Sequence, residues 1–519
     1  MSRPQSVKAS CAGLVALAAA VSPAVVSGEP PAVEEGVALT VYSTADPAGF
    51  DPQRFIAQQR QGYDPQYAWQ VPGFGVVKEV RRIKVAEGLN ELRFPDVAEF
   101  IDPTTVSFTN LDDPAATAVL EQCFQFDLVS PDKLLEKYLD RPVEVVLPLG
   151  EKTETVSGQL LSAVQGQLVL LTADGVRVLS GRGQQVKLGE LPGGLITRPT
   201  LVWKVNSAAA GEPRIRTTYQ TGGLTWRADY HLILNESGTR ADLGAWVTLL
   251  NLSGAGYRDA RLKLIAGDVQ RVAPPPERYA VMSKARGLAG EMMDRGFEEK
   301  AFFEYHLYTL PRKTDVPANS TQQLTLFPTA RDVKVEKLLV YYGLPEAAGW
   351  GFFPQPQQDR HFGNQSNRKV DVYARFENRK EHNLGLPLPR GKVRAYQRDD
   401  ADGTLEFIGE DLIDHTAKDE KVLIKLGQAF DVVGERTQTD FDLDTGRKTM
   451  RESLQVQLRN HKPEAVRVVI KENLYRWTTW EITRSSDKYE QVDARTIHFE
   501  VEVPPDGEKT VTYTVRYTW

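Results

Sequence analysis

Three aspartates alternate at Asp440, Asp442 and Asp444, just ahead of Thr445 and Gly446. Alternate side chains of an extended segment share a face, so this spacing lines up three carboxylates. An oxygen-rich face of that kind suits a hard cation such as calcium. It departs from a helix-loop-helix calcium loop in two ways: the glycine is displaced by one position, and Arg451 stands where the bidentate glutamate belongs. A polar strand face leading into a turn accounts for the same residues. Asp399, Asp400, Ala401, Asp402 and Gly403 need only an Asp-Gly turn between two strands.

Tyr475, Trp477 and Trp480 form the second cluster with chemical potential. Flat aromatic faces stack on sugar rings or anchor partner proteins. Tryptophan is also a sandwich-core residue, and both readings stand at this point.

Catalytic motifs are absent from the sequence. None of the seven histidines (His231, His306, His361, His382, His415, His461, His498) belongs to an H-E-x-x-H pair. Glu304, Tyr305 and His306 would set two polar groups on one strand face, but a metal needs further convergent ligands. No G-x-S-x-G elbow, phosphate-binding loop or G-x-G-x-x-G fingerprint occurs. No catalytic residue and no cofactor site is assigned.

The elements that carry these residues read as mainly β. The 519 residues are 41% hydrophobic and 25% charged with net charge −6, values ordinary for a globular chain. No basic stripe stands out, so nucleic-acid binding is not supported. Arg3 and Lys8, then the apolar run CAGLVALAAAVSPAVV, then Val26, Ser27 and Gly28, have the form of a secretory signal over residues 1–28. An uncleaved anchor is the rival. No apolar stretch precedes Cys11, as a lipoprotein signal would need, and no later run is long enough to span a membrane as a helix. The expected location is therefore the periplasm or cell surface of a bacterium. After cleavage Cys123 is the remaining cysteine, which excludes an internal disulfide. Its setting, LEQCFQFDL, reads as a small buried side chain.

Residues 29–140 read as a β-rich region. It includes a strand at 37–42, a loop to about Gly73, and a strand pair GVVKEVRRIKV and LNELRF joined by a turn at Glu87 and Gly88. A short helix is expected near 131–139: Ser130 caps it, Pro131 and Asp132 open it, and Leu134, Leu135, Tyr138 and Leu139 form its apolar face. Five short strands over 141–195 resemble a small SH3-like or Sm-like β-barrel. From 200 to 519, alternating strands with turns between them indicate immunoglobulin-like β-sandwich modules. A flexible insertion near 268–300 and a long exposed loop at 345–368 interrupt them. No repeat of fixed period is visible. The final strand, TVTYTVRYTW, also resembles the closing strand of an outer-membrane barrel.

Several phrases carry a family resemblance. TYQTGGLTWRADYHLILNESGTRADLGAWVTLLNLSGAGYRDARLKLIAGDV, EEKAFFEYHLYTLPRKTDVPANSTQQLTLF, LPLPRGKVRAYQRDDADGTLEFIGEDLIDHT, AFDVVGERTQTDF, LRNHKPEAVRVVIKENLYRWTTWEI and VPPDGEKTVTYTVRYTW resemble the DUF4139 family from about residue 200 to the C-terminus. FGVVKEVRRIKVAEGLNELRFPDVAEFIDPTTV and SPDKLLEKYL are similar to the region that precedes it in such proteins. Some relatives are called mucoidy inhibitor A, which implies envelope or exopolysaccharide biology. The resemblance implies no catalytic residue and no cofactor. The expectation is an exported, non-enzymatic envelope protein with a structural or binding role, its partner a glycan or an envelope protein. A polysaccharide hydrolase and an outer-membrane barrel are the rival readings.

Overall fold

The computed structural model describes residues 34–43, 51–60, 70–149, 152–164, 166–180, 184–267, 269, 298–302, 305–351, 353–399 and 401–519. The expected signal region and nearly all of the expected insertion lie outside them. The fold is mainly β, with 62% strand and 5% helix.

The first hydrophobic core joins three sheets. One runs, in order of pairing, 298–302, 305–309, 257–266, 36–42, 74–82, 214–221 and 101–110, with 314–316 added beside 257–266. A three-stranded sheet sets 200–207 between 88–95 and 117–125, and a five-stranded sheet runs 320–334, 240–251, 224–234, 391–398 and 405–413. Leu39, Val77, Trp203, Tyr219, Trp226, Tyr230 and Leu262 meet in this core. Period-two alternation produces it: in Arg214–Thr221 every second side chain is buried.

The pair expected over 75–94 is not a hairpin. Phe74–Arg82 pairs with Gly36–Tyr42 and Arg214–Thr221, whereas Gly88–Pro95 pairs with Thr200–Ser207. The alternation was legible, but the partners come from far along the chain. Sheet pairing also crosses the division expected near 200, because residues 36–42 lie parallel to 257–266. The segment expected as a loop before Gly73 holds a helix, Pro52–Arg60, whose Phe55 and Ile56 pack on Val71, Leu250 and Leu252.

Residues 142–187 form a five-stranded antiparallel sheet ordered 185–187, 142–149, 152–164, 167–172 and 175–180. Tyr138, Val145, Leu160 and Leu170 fill a separate core. The five strands fall where expected, and the pairing path is open: 175–180 and 185–187 are its two edges. The helix before it is Pro131–Lys137, with Ser130 Oγ accepting from the Lys133 N–H at 3.3 Å. Tyr138 is buried beneath it, while Leu139 is exposed.

The second large core lies within a nine-stranded sheet ordered 480–485, 507–518, 449–460, 421–444, 369–377, 336–342, 466–473, 496–503 and 489–491. The sheet folds over, so Leu454, Val456, Val511 and Tyr513 face Val468, Ile470, Phe499 and Val501. The strand Lys421–Asp444 ties the two units together: Val422 and Ile424 belong to the first core and Val432 to the second. Among the described strands three parallel pairs accompany the antiparallel ones, at 36–42 with 257–266, 224–234 with 391–398, and 336–342 with 466–473.

One corner recurs. Asn251 ends a strand, is 1% exposed, and donates from Nδ2 to the carbonyls of Ala255, Val316 and Pro317 at 2.8, 3.3 and 2.9 Å. Asn460, also 1% exposed, donates to Glu464, Val503 and Pro504 at 2.8, 3.4 and 2.9 Å. Asn378 donates to Leu386 and Ala417 at 2.7 and 2.9 Å. In each case Oδ1 accepts a loop backbone N–H, from Ser253, Lys462 or Gly385. The amide satisfies carbonyls that would otherwise be buried bare. The corner thus recurs at unequal spacing, which a search for a fixed period misses.

Candidate functional site

The first asparagine corner forms one wall of a cleft of about 960 Å³. The cleft gathers Glu79 and Arg81 from one strand, Asp96 and Glu99 from the turn after Gly88–Pro95, Arg198 and Pro199 from the link to the small sheet, Arg258 from the start of Tyr257–Ala266 and Asp315 from Thr314–Val316. Tyr219 and Tyr257, both buried, form its floor. Their hydroxyls join a chain: Tyr219 to Tyr257, Tyr257 to Ser253 Oγ at 3.1 Å, and Ser253 Oγ to Asn251 Oδ1 at 2.7 Å. Burial holds both phenols well above their ordinary pKa.

Most charges here are already paired. Arg81 Nε meets Glu79 at 2.5 Å, and its guanidinium lies over the Phe94 ring with 3.9 Å to the centroid. Arg198 meets Asp96 at 2.7 Å, and Asp315 accepts the Asp259 N–H at 2.8 Å. Two groups differ. Among the described residues the side chains of Glu99 and Arg258 have no hydrogen-bond or ion partner. Glu99 is half-buried against Gly254, and burial raises its carboxyl above the usual range. Gly254 is required there: its φ is +82°, and a Cβ would come within 2.5 Å of Glu99.

A second cluster is satisfied internally. Asp229, 2% exposed, accepts from Thr248 Oγ1 at 2.6 Å and Arg227 Nε at 3.0 Å, with Arg394 at 3.5 Å. Burial, aided by Arg394, lowers the pKa of His231 beside it.

The aromatic residues singled out from sequence divide between roles. Tyr475 is 3% exposed, packs against Trp350 and Phe362, and donates to the Phe362 carbonyl at 3.1 Å. Trp477 and Trp480 are half-buried against the second core, and Trp480 Nε1 donates to the Ala494 carbonyl at 2.8 Å. The three do not make one exposed aromatic face. Between them stands Arg476, fully buried, which sequence reasoning missed. It meets both carboxylate oxygens of Glu452, at 3.0 and 2.9 Å, and donates to the carbonyls of Gln357, Asp359 and Phe362. Arg436, 3% exposed, pairs with Glu472 at 2.9 Å and donates to the Gly363 carbonyl at 3.0 Å. The segment expected as a long exposed loop at 345–368 is therefore strapped to the second unit by two buried guanidiniums. Its polar composition concealed this, because the straps take backbone carbonyls.

Asp440, Asp442 and Asp444 lie along a hairpin with 449–460. Asp442 faces Arg451 at 3.7 Å, and Asp444 accepts the Arg447 N–H at 2.9 Å. Among the described residues no three His, Cys, Asp or Glu side chains converge as a metal would require. No described helix is long and apolar enough to cross a membrane.

No curated protein matches the chain significantly. The profile of DUF4139, a domain of unknown function, matches residues 215–519. That span is more than half the sequence and contains all three asparagine corners and both buried Arg–Glu pairs. The chain belongs to the DUF4139 family.

Proposed function

We propose that this is an exported, non-enzymatic protein of the bacterial envelope, periplasmic or on the cell surface, that binds an envelope glycan in the cleft above Tyr219 and Tyr257. The observation that carries the binding role is the cleft itself, where Glu99 and Arg258 have no partner among the described residues while Glu79, Arg81, Asp96 and Arg198 are paired. A sugar hydroxyl both donates and accepts, so it suits a lining that mixes acceptor-only carboxylates with donor-only guanidiniums. Export rests on the charge and apolar pattern of residues 1–28. Cell fractionation with N-terminal sequencing tests it: a mature envelope protein beginning near Glu29 is expected, and a cytoplasmic protein retaining Met1 would refute it.

One observation favours a second reading. A carboxyl with raised pKa, such as Glu99, is what a general acid requires, and Glu79 supplies a second carboxylate in the same cleft. Under that reading the chain releases reducing ends from an envelope polysaccharide, and Glu99→Gln abolishes the release.

A further inference from the structure

The cleft above Tyr219 and Tyr257 holds charge of both signs, and two pairs cancel within it: Glu79 with Arg81, and Asp96 with Arg198. Asp315 is engaged by the Asp259 N–H, and the Asp259 carboxylate by Lys313 at 2.9 Å. Among the described residues this leaves the carboxyl of Glu99 and the guanidinium of Arg258, one open charge of each sign on the same wall. Glu99 is held in place there. Its stem lies over Gly254 where a Cβ would otherwise sit, and its backbone N–H donates to the Ser253 carbonyl at 2.8 Å. From Glu99 toward Arg258 the wall is formed by Gly254, Ala255 and Gly256, which carry no side chain longer than a methyl. A ligand can therefore lie along nearly bare backbone and reach both charges.

We propose that the cleft selects a glycan that carries both free amino and carboxylate groups. The inference rests on the reading that this cleft binds glycan, and it names the class. An ammonium donates to Glu99, while a carboxylate accepts from the planar fork of Arg258. The other charge classes match less well. A neutral chain covers both charges without supplying a counter-charge to either, which costs free energy. A polyanion satisfies Arg258 but brings its carboxylates to Glu99, and a polycation satisfies Glu99 but brings its ammoniums to Arg258. The remaining lining of matched pairs suits the hydroxyls of the sugar ring, which donate and accept. At about 960 Å³ the cleft lies near the top of the range of about 300–1,000 Å³ found for small-molecule sites. It has room for more than one sugar ring, so the amine and the carboxylate can stand on neighbouring residues of the chain.

The test uses the full chain and one tetrasaccharide backbone of alternating N-acetylglucosamine and glucuronic acid in four forms. The native form carries carboxylates alone, and the N-deacetylated form carries carboxylates and ammoniums. The carboxyl-reduced form carries neither, and the form treated both ways carries ammoniums alone. Calorimetric titration at neutral pH is expected to rank the N-deacetylated form first, by about tenfold over either form that matches a single charge. Glu99→Gln should erase the gain from the free amine and keep the gain from the carboxylate, and Arg258→Met should do the reverse. Both variants are checked for an unchanged fold by circular dichroism. Equal binding of all four forms would overturn the inference while leaving a glycan-binding cleft. So would a preference that survives both substitutions, or tighter binding of tetra-alanine, whose termini carry the same two charges. Binding of none of the four would overturn it as well, and if isolated envelope polysaccharide also failed to co-sediment, the glycan reading itself would fall.

Discussion

The two asparagine corners at 251 and 460 make the same hydrogen bonds and border different surroundings. At Asn251 the loop continues through Ser253 and Gly254, which carry the tyrosine hydroxyl chain and leave room for Glu99. At Asn460 the loop continues through Lys462, Pro463 and Glu464, and the polar chemistry of that unit is buried, with Arg436 and Arg476 matched by Glu472 and Glu452. One scaffold thus serves two ends. In the second unit buried charges hold the strap at 357–363, whereas in the first two charges beside the cleft have no match among the described residues. Matched buried charge marks structure here, and unmatched charge at a cleft marks availability to a ligand.

The contrast is most open to breakage at Arg476. Arg476→Met leaves Glu452 buried without its ion partner and takes a donor from the carbonyls of Gln357, Asp359 and Phe362. A loss of about 3–5 kcal/mol in urea unfolding is expected. Arg81→Met at the cleft removes a pair whose arginine is 34% exposed, and should cost about 1 kcal/mol or less. Equal losses would erase the distinction between the units.

The equivalence of the corners predicts equal damage. Asn251→Asp and Asn460→Asp keep the shape but cannot donate. Each is expected to cost about 2–3 kcal/mol, since buried carbonyls lose their donors. Markedly different losses would show that the corners are not the same device.

Gly254→Ala is expected to cost about 1–2 kcal/mol, combining positive φ with crowding against Glu99. Pro463→Ala should fall well below that.

The smallest effect is set by pH. Burial raises the carboxyl of Glu99 above its unfolded value, so the folded state holds the proton more tightly. Ionising Glu99 therefore costs stability, and that cost appears as pH rises through its folded pKa. Glu99→Gln should melt slightly higher than the wild type at pH 7, by about 1 °C, and equally below the unfolded carboxyl range near pH 3. A variant less stable at pH 7 would mean that ionised Glu99 is held by a partner.

Strand alternation in the sequence carried most of the secondary structure, including Gly36–Tyr42, Pro142–Leu149 and Gly507–Thr518. It did not carry pairing, because alternation reports which face is buried and not which strand lies alongside. Thus 74–82 and 88–95 look like a hairpin and belong to different sheets. The same limit misplaced Cys123, where alternation implied burial and the side chain is exposed. The asparagine corners leave a faint signal: TLLNLSG, RFENRKE and QLRNHKP each place Asn where an alternating strand stops. Arg476 and Glu472 stand close together in IKENLYRW, but each finds its buried partner on another strand, Glu452 and Arg436, which the sequence did not reveal. The cleft was not legible at all, since its walls come from residues 79–99, 197–199, 254–258 and 315–318.

Co-sedimentation with isolated envelope polysaccharide, compared across three folded proteins, tests the central claim most directly. The wild type and Trp477→Ala/Trp480→Ala are expected to bind alike, while Glu99→Gln/Arg258→Ala binds at least tenfold more weakly. Unchanged binding by the cleft variant, or loss confined to the tryptophan variant, would contradict the assignment of binding to the cleft.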